Sequence, residues 1–144
     1  MRSQTSHMGQ RGSVIIEALV AIMVFSIGIL GLIRMQAVSV SHVSDAKYRA
    51  DASFLANQII GSMWANRAGL ASYACNPCTS ANGNTDTRAW IVDVGIVAAS
   101  GVVPALPNPA ASISVAGSLV TVSLAWRPPQ ATAAHTYTAI AQID

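Results

Sequence analysis

The sequence predicts an α+β protein: a long N-terminal helix, membrane-spanning in its first half and amphipathic in its second, packed on a small antiparallel β-sheet head. Three observations predict it. An apolar run of 20 residues, Val14–Ile33, follows a short basic leader. Apolar residues at three- and four-residue spacing continue past that run to about Arg67. The last third of the chain alternates apolar with small polar residues in strand-length blocks around turn residues. The 144 residues have room for one modest domain and an appendage. The expected divisions are 1–12, a leader; 13–33, the apolar helix; 34–68, its amphipathic continuation; and 69–144, the head.

The apolar run comes first. As a helix it rises ~30 Å, the thickness of a bilayer's hydrocarbon core. It contains no proline, and Gly28 and Gly31 are its two helix-weakening residues. Arg2 and Arg11 precede it. Of eight basic residues these two stand before Ser13, leaving six basic and six acidic residues in the rest, which is formally neutral. A positive leader before an apolar span keeps the N-terminal side in the cytoplasm. The neutral remainder offers no electrostatic footprint for nucleic acid, so no nucleic-acid partner is expected.

One ionisable side chain, Glu17, interrupts the run. A secretory signal peptide has a shorter apolar core and a small-residue cleavage site behind it. An ordinary signal anchor accounts for length and flank but not for a carboxylate, which costs on the order of 2–3 kcal/mol inside a span and marks a functional position. If Glu17 lies close enough to the headgroups, that cost is small.

The residues before Glu17 carry a resemblance. Gly12-Ser13-Val14-Ile15-Ile16-Glu17, after a basic leader and before an apolar helix, resembles the class III signal of type IV pilins and their relatives. The stretches SIGILGLIRMQ and ANQIIGSMWANRAG resemble the PilV family of type IV pilus minor pilins (type IV pilus modification proteins), over about residues 10 to 70. The resemblance implies a pilin-like lollipop fold and a cytoplasmic leader cut between Gly12 and Ser13 by a prepilin peptidase. It also implies N-methylation of the new Ser13 terminus. Ser13 departs from the family, which usually has phenylalanine there. Before assembly such a chain is a single-pass inner-membrane protein with its head in the periplasm; afterwards it belongs to the pilus filament or its tip. Its implied partners are other minor pilins, the major pilin, the prepilin peptidase, the inner-membrane platform protein and a pilus-tip adhesin. Pseudopilins of type II secretion systems share the first segment. A membrane-anchored periplasmic binding or redox domain is a further alternative.

Cleavage would create an α-amino group at Ser13, one helical turn from Glu17. Each charge is costly alone in apolar surroundings, and pairing offsets much of that cost. The pairing, within one subunit or between neighbours, would fix axial register.

Beyond the span, Val43, Ala46, Ala50, Phe54 and Met63 recur at helical spacing, with Leu55, Ile59 and Ile60 beside them. Asp45, Lys47, Arg49 and Asp51 tend to the other side, and Asp45 and Arg49 form an i,i+4 pair. Asn66 and Gly69 read as the stop.

Cys75-Asn76-Pro77-Cys78 is the one CxxC. In an oxidising compartment two cysteines bond, so a disulfide between Cys75 and Cys78 is expected, stabilising modestly because its loop is short. Free thiols, a redox pair and half of a zinc site stay open from the motif alone. Zinc needs four ligands, and the remaining candidates are His7, His42 and His135.

In the head, Asp86 is the expected cap of a short helix through Trp90, Ile91, Val94 and Val97. Pro104, Pro107 and Pro109 enforce a non-helical crossing. SISVAGSLVTVSLAW reads as a hairpin around Gly117-Ser118, with Val120, Val122, Leu124 and Trp126 facing the helix. His135–Ile143 alternates again and makes a third strand. Acids are scattered and no nucleophile, metalloprotease or phosphate-binding motif occurs. The expectation is a structural protein, not an enzyme, without cofactor or metal.

Overall fold

The computed structural model describes residues 11–129 and 131–144. Its elements are helix α1 (Arg11–Ala65), a 3-10 helix (Arg67–Tyr73), helix α2 (Thr85–Val94) and strands β1 (Ala110–Ala116), β2 (Leu119–Trp126) and β3 (His135–Gln142). The fold is α+β, with a long N-terminal helix and one three-stranded antiparallel sheet in the order β1-β2-β3. Two compact units divide the chain, Met1–Val43 and Ser44–Asp144.

The described part of the first unit is helix. It has no proline, and between Val14 and Ile33 its polar side chains are Glu17 and Ser26 alone, so little there competes with backbone i→i−4 hydrogen bonding. Ser26, the one hydroxyl of the apolar run, returns its proton to the Ile22 carbonyl at 2.7 Å, so it leaves no unmet donor. α1 is long and apolar enough to cross a membrane: an 18-residue window reaches a mean hydropathy of 2.5, and none of it is buried in the chain.

The second unit has its own core. Ala52, Leu55, Ala56, Ile59 and Met63 form the inward row of α1; Trp90, Ile91 and Val94 form that of α2. Val120, Val122, Leu124 and Trp126 are buried on β2, as the alternation predicts, and Ala111 and Ile113 join them from β1. Trp90 Nε1 donates to the Leu55 carbonyl at 2.8 Å, tying α2 to α1 by a buried bond that satisfies the indole. The β1–β2 hairpin turns on Gly117-Ser118 with Ala116 opposite Leu119, and Gly117 takes the positive φ of 64°.

Four expectations are corrected. Of the apolar residues expected at helical spacing on α1, Met63, Leu55, Ile59 and Ile60 are buried, whereas Ala46 and Ala50 are exposed and Val43 and Phe54 are 66% and 69% exposed, so the inner row runs through Leu55, Ile59 and Met63. At 100° per residue a one-residue shift turns the helix away from the sheet. The helical segment drawn to residue 68 ends at Ala65, at the first of the two expected stops: Asn66 leaves helical geometry (φ −126°, ψ 57°), whereas Gly69 lies inside the 3-10 turn that follows. The α2 cap is Asn84, not Asp86. The Asn84 side chain accepts from the Thr87 amide at 2.9 Å and from the Thr87 hydroxyl at 3.0 Å, whereas Asp86 lies in the first turn, where its charge suits the helix dipole. α2 stops at Val94, short of Val97. Gly95 adopts φ 98°, and its amide bonds the Ile91 and Val92 carbonyls.

Candidate functional site

Three groups of residues carry the sequence's functional expectations. The first is the start of α1. Residues 1–10 of the expected leader, with Arg2 and His7, lie outside the described residues. Gly12, Ser13 and Glu17 all fall within α1. Ser13 and Glu17 are four residues apart, so they share a helix face about 6 Å apart along the axis. Glu17 is exposed and forms no ion pair or hydrogen bond with any described residue. Around it the large apolar side chains from Val14 to Ile33 are between 41% and 68% exposed. So long an apolar surface requires a covering of lipid or protein.

The second is the cysteine pair. Cys75 and Cys78 are disulfide-bonded and buried, at 5% and 2% exposure. The Asn76–Pro77 peptide between them is cis. The loop lies along the outer edge of β1. The Cys75 amide donates to the Ile113 carbonyl (3.0 Å), the Ile113 amide to the Cys75 carbonyl (2.8 Å) and the Cys78 amide to the Ala111 carbonyl (2.9 Å). The bridge therefore holds a two-point cover over an edge strand that would otherwise present unpaired backbone groups. Asn82 secures the loop's far side, donating to the Pro77 carbonyl at 2.8 Å and accepting from the Thr79 amide at 2.7 Å. Buried sulfurs with a covering role fit structural cysteines better than an exposed exchanging pair.

The third is the polar and aromatic set of the head. His135 Nε2 lies 3.9 Å from Asp45, and its ring stacks on Trp126 with centroids 5.8 Å apart. This contact joins the start of β3 to α1, between residues whose separation in sequence gives no hint of it. The Trp126 indole N–H is buried and has no partner among the described residues. Tyr73 is fully buried, and its hydroxyl donates to Asp86 at 2.6 Å. Burial, then the bond to Asp86, pushes its pKa above the ordinary 10.0. Asp93 is exposed and takes a 3.4 Å hydrogen bond from Gln58. Among the described residues no group of three or more His, Cys, Asp or Glu side chains is placed to hold a metal ion.

No protein-family model, curated protein or solved structure matches this chain. The functional reading therefore rests on the residues themselves.

Proposed function

We propose that this protein is a minor pilin of a type IV pilus, PilV-like, made as a prepilin. Cleavage between Gly12 and Ser13 by a prepilin peptidase and N-methylation of Ser13 would yield the mature subunit. The subunit waits in the inner membrane with its head in the periplasm. It then enters the filament or its tip, where it primes assembly with the platform protein, the other pilins and a tip adhesin. The work is structural and needs no cofactor.

The observation that carries this reading is the arrangement at the start of α1. Glu17, a carboxylate with no partner among the described residues, stands one helical turn after Ser13 at the head of an exposed apolar helix. A lone charge of this kind in an apolar assembly is strongly unfavourable, and a new amine at Ser13, on the same chain or on a neighbour, supplies the counter-charge. Register follows, because sliding one helix past another strands both charges. Glu17→Ala is expected to leave membrane insertion and processing intact and to reduce the protein in sheared filaments to a small fraction of wild type. Incorporation at the wild-type level would overturn the proposed role of Glu17.

A further inference from the structure

The two edges of the sheet end differently. β1 is covered by the 75–78 loop, through backbone hydrogen bonds to Ile113 and Ala111. β3, the other edge, has no such cover among the described residues: its backbone pairs with β2 alone. Edge strands are ordinarily kept short, charged, bulged or broken by proline, so that they do not recruit another chain. β3 has eight residues, His135–Gln142, with no lysine, acid or proline among them. It pairs with β2 one residue to one residue, with no bulge.

The pairing shows which backbone groups are open. The Ile113 amide and carbonyl both bond Cys75, so they point away from β2. Val122, opposite Ile113, then turns its own amide and carbonyl to the far side, toward Ala139 of β3. Alternation carries this along the strand, and the Ile143 amide keeps the same parity by bonding the Ser118 carbonyl at 2.8 Å. The amides and carbonyls of Thr136, Thr138, Ile140 and Gln142 therefore point outward from the sheet. Tyr137, Ala139 and Ala141 turn their side chains to the core but are only half-buried, at its rim.

We infer that this edge is a strand-addition site, which takes an extended, uncharged segment of a second protein as a fourth strand. The open amides and carbonyls select the occupant. A helix pairs its own backbone internally and a lipid tail has nothing to pair, whereas an extended segment offers donors and acceptors at the same spacing. The half-buried row calls for apolar side chains at every second position of the incoming strand, which lie over the rim beside Tyr137 and Ala139. Between them, Thr136, Thr138 and the 67% exposed Ile140 suit threonine or β-branched partners. A second copy fits less well. With the 75–78 loop on β1, two copies would meet β3 to β3 along one ladder about 27 Å long and roughly 10 Å deep. That is well short of the ~1,000 Å² in total that a stable interface buries. A flexible segment avoids this limit because its inward side chains settle on the rim as well. The site does not depend on processing at Ser13.

The test uses the full chain. In cells that produce it, a benzophenone side chain is placed singly at Thr138 or Ile140, with the exposed Ser114 of β1 as control, and cross-linked peptides are mapped by mass spectrometry. The expected products from Thr138 and Ile140 lie in a segment of a second protein that alternates apolar with uncharged polar residues, and Ser114 gives none with that segment. Thr138→Pro removes an outward amide and no bond to β2, and Ile140→Lys sets a charge on the edge. Each is expected to lower the yield from the other position about tenfold, with the fluorescence of the buried Trp90 and Trp126 unchanged. In detergent, the probe is a peptide of residues 119–126 flanked by lysines. Its addition should slow hydrogen exchange of the Thr138 and Ile140 amides, and the same peptide with proline in place of Thr121 should not. Products with lipid, with a helix or with a second copy's β3, equal products from Ser114, or no product would overturn the inference. So would an undiminished yield from the variants, or Thr138 and Ile140 amides that the probe leaves unchanged.

Discussion

Replacing both cysteines, Cys75→Ala with Cys78→Ala, tests the claim that the disulfide holds a cover over β1. The magnitude has two parts. Closing a loop of residues 75–78 restricts the unfolded chain by an amount worth about 2 kcal/mol in the chain-entropy relation. If the loop also leaves the sheet, three backbone hydrogen bonds to Ile113 and Ala111 are lost, each worth about 1 kcal/mol net. The expected loss therefore lies between about 2 and about 5 kcal/mol. With a urea m-value of ~2 kcal/mol/M, the midpoint falls by about 1 M or more. The assay is urea unfolding of the full chain in mild detergent, followed by the fluorescence of Trp90 and Trp126, both buried in the head. Dithiothreitol added to the wild type should reproduce the loss of the covalent part. Hydrogen exchange supplies the local readout: the Ile113 amide should exchange faster, and Val122, in the central strand, should not lead it. A midpoint within about 0.3 M of wild type, or an unchanged Ile113 amide, would refute the covering role.

Two further substitutions follow from the corrected helix ends. Asn84→Ala removes the α2 cap and the partner of the buried Thr87 hydroxyl, so it should cost about 1–2 kcal/mol in the same titration. Asn84→Asp keeps the acceptor and should cost clearly less; equal losses would argue against capping as the cause. Gly95→Ala places a Cβ at φ 98°, 2.5 Å from the Pro104 Cβ. Left-handed strain of about 1–2 kcal/mol and the overlap with Pro104 act together, and an unchanged midpoint would contradict the αL termination of α2.

The sheet was legible because β2 alternates cleanly. Val120, Val122, Leu124 and Trp126 needed only a period of two and a turn at Gly117-Ser118 to be placed inward. The phase of α1 was not legible, and the reason is physical. The helix carries two apolar rows, one through Leu55, Ile59 and Met63 and one through Ala50 and Phe54. Periodicity reports that rows exist, not which one the head covers. Tertiary contacts decide it, among them the bond from Trp90 to the Leu55 carbonyl. The α2 cap was ambiguous because Asn84 and Asp86 are both good capping residues two positions apart, and only backbone geometry at Asn84 separates them. Of the candidate site, Gly12, Ser13 and Glu17 were found from a short motif. The β1-edge cover by Cys75 and Cys78, and the approach of Asp45 to His135, depend on pairings between distant segments that no local pattern announces.

The central claim is that this chain is processed at the start of α1 and assembled through it. Intact-mass and N-terminal peptide analysis of the mature protein from its own membranes tests that claim most directly. Cleavage after Gly12 yields a chain that begins at Ser13, heavier by one methyl group where the terminus is methylated. A mature chain that still begins at Met1, or that is cut within or after the apolar run, would contradict it.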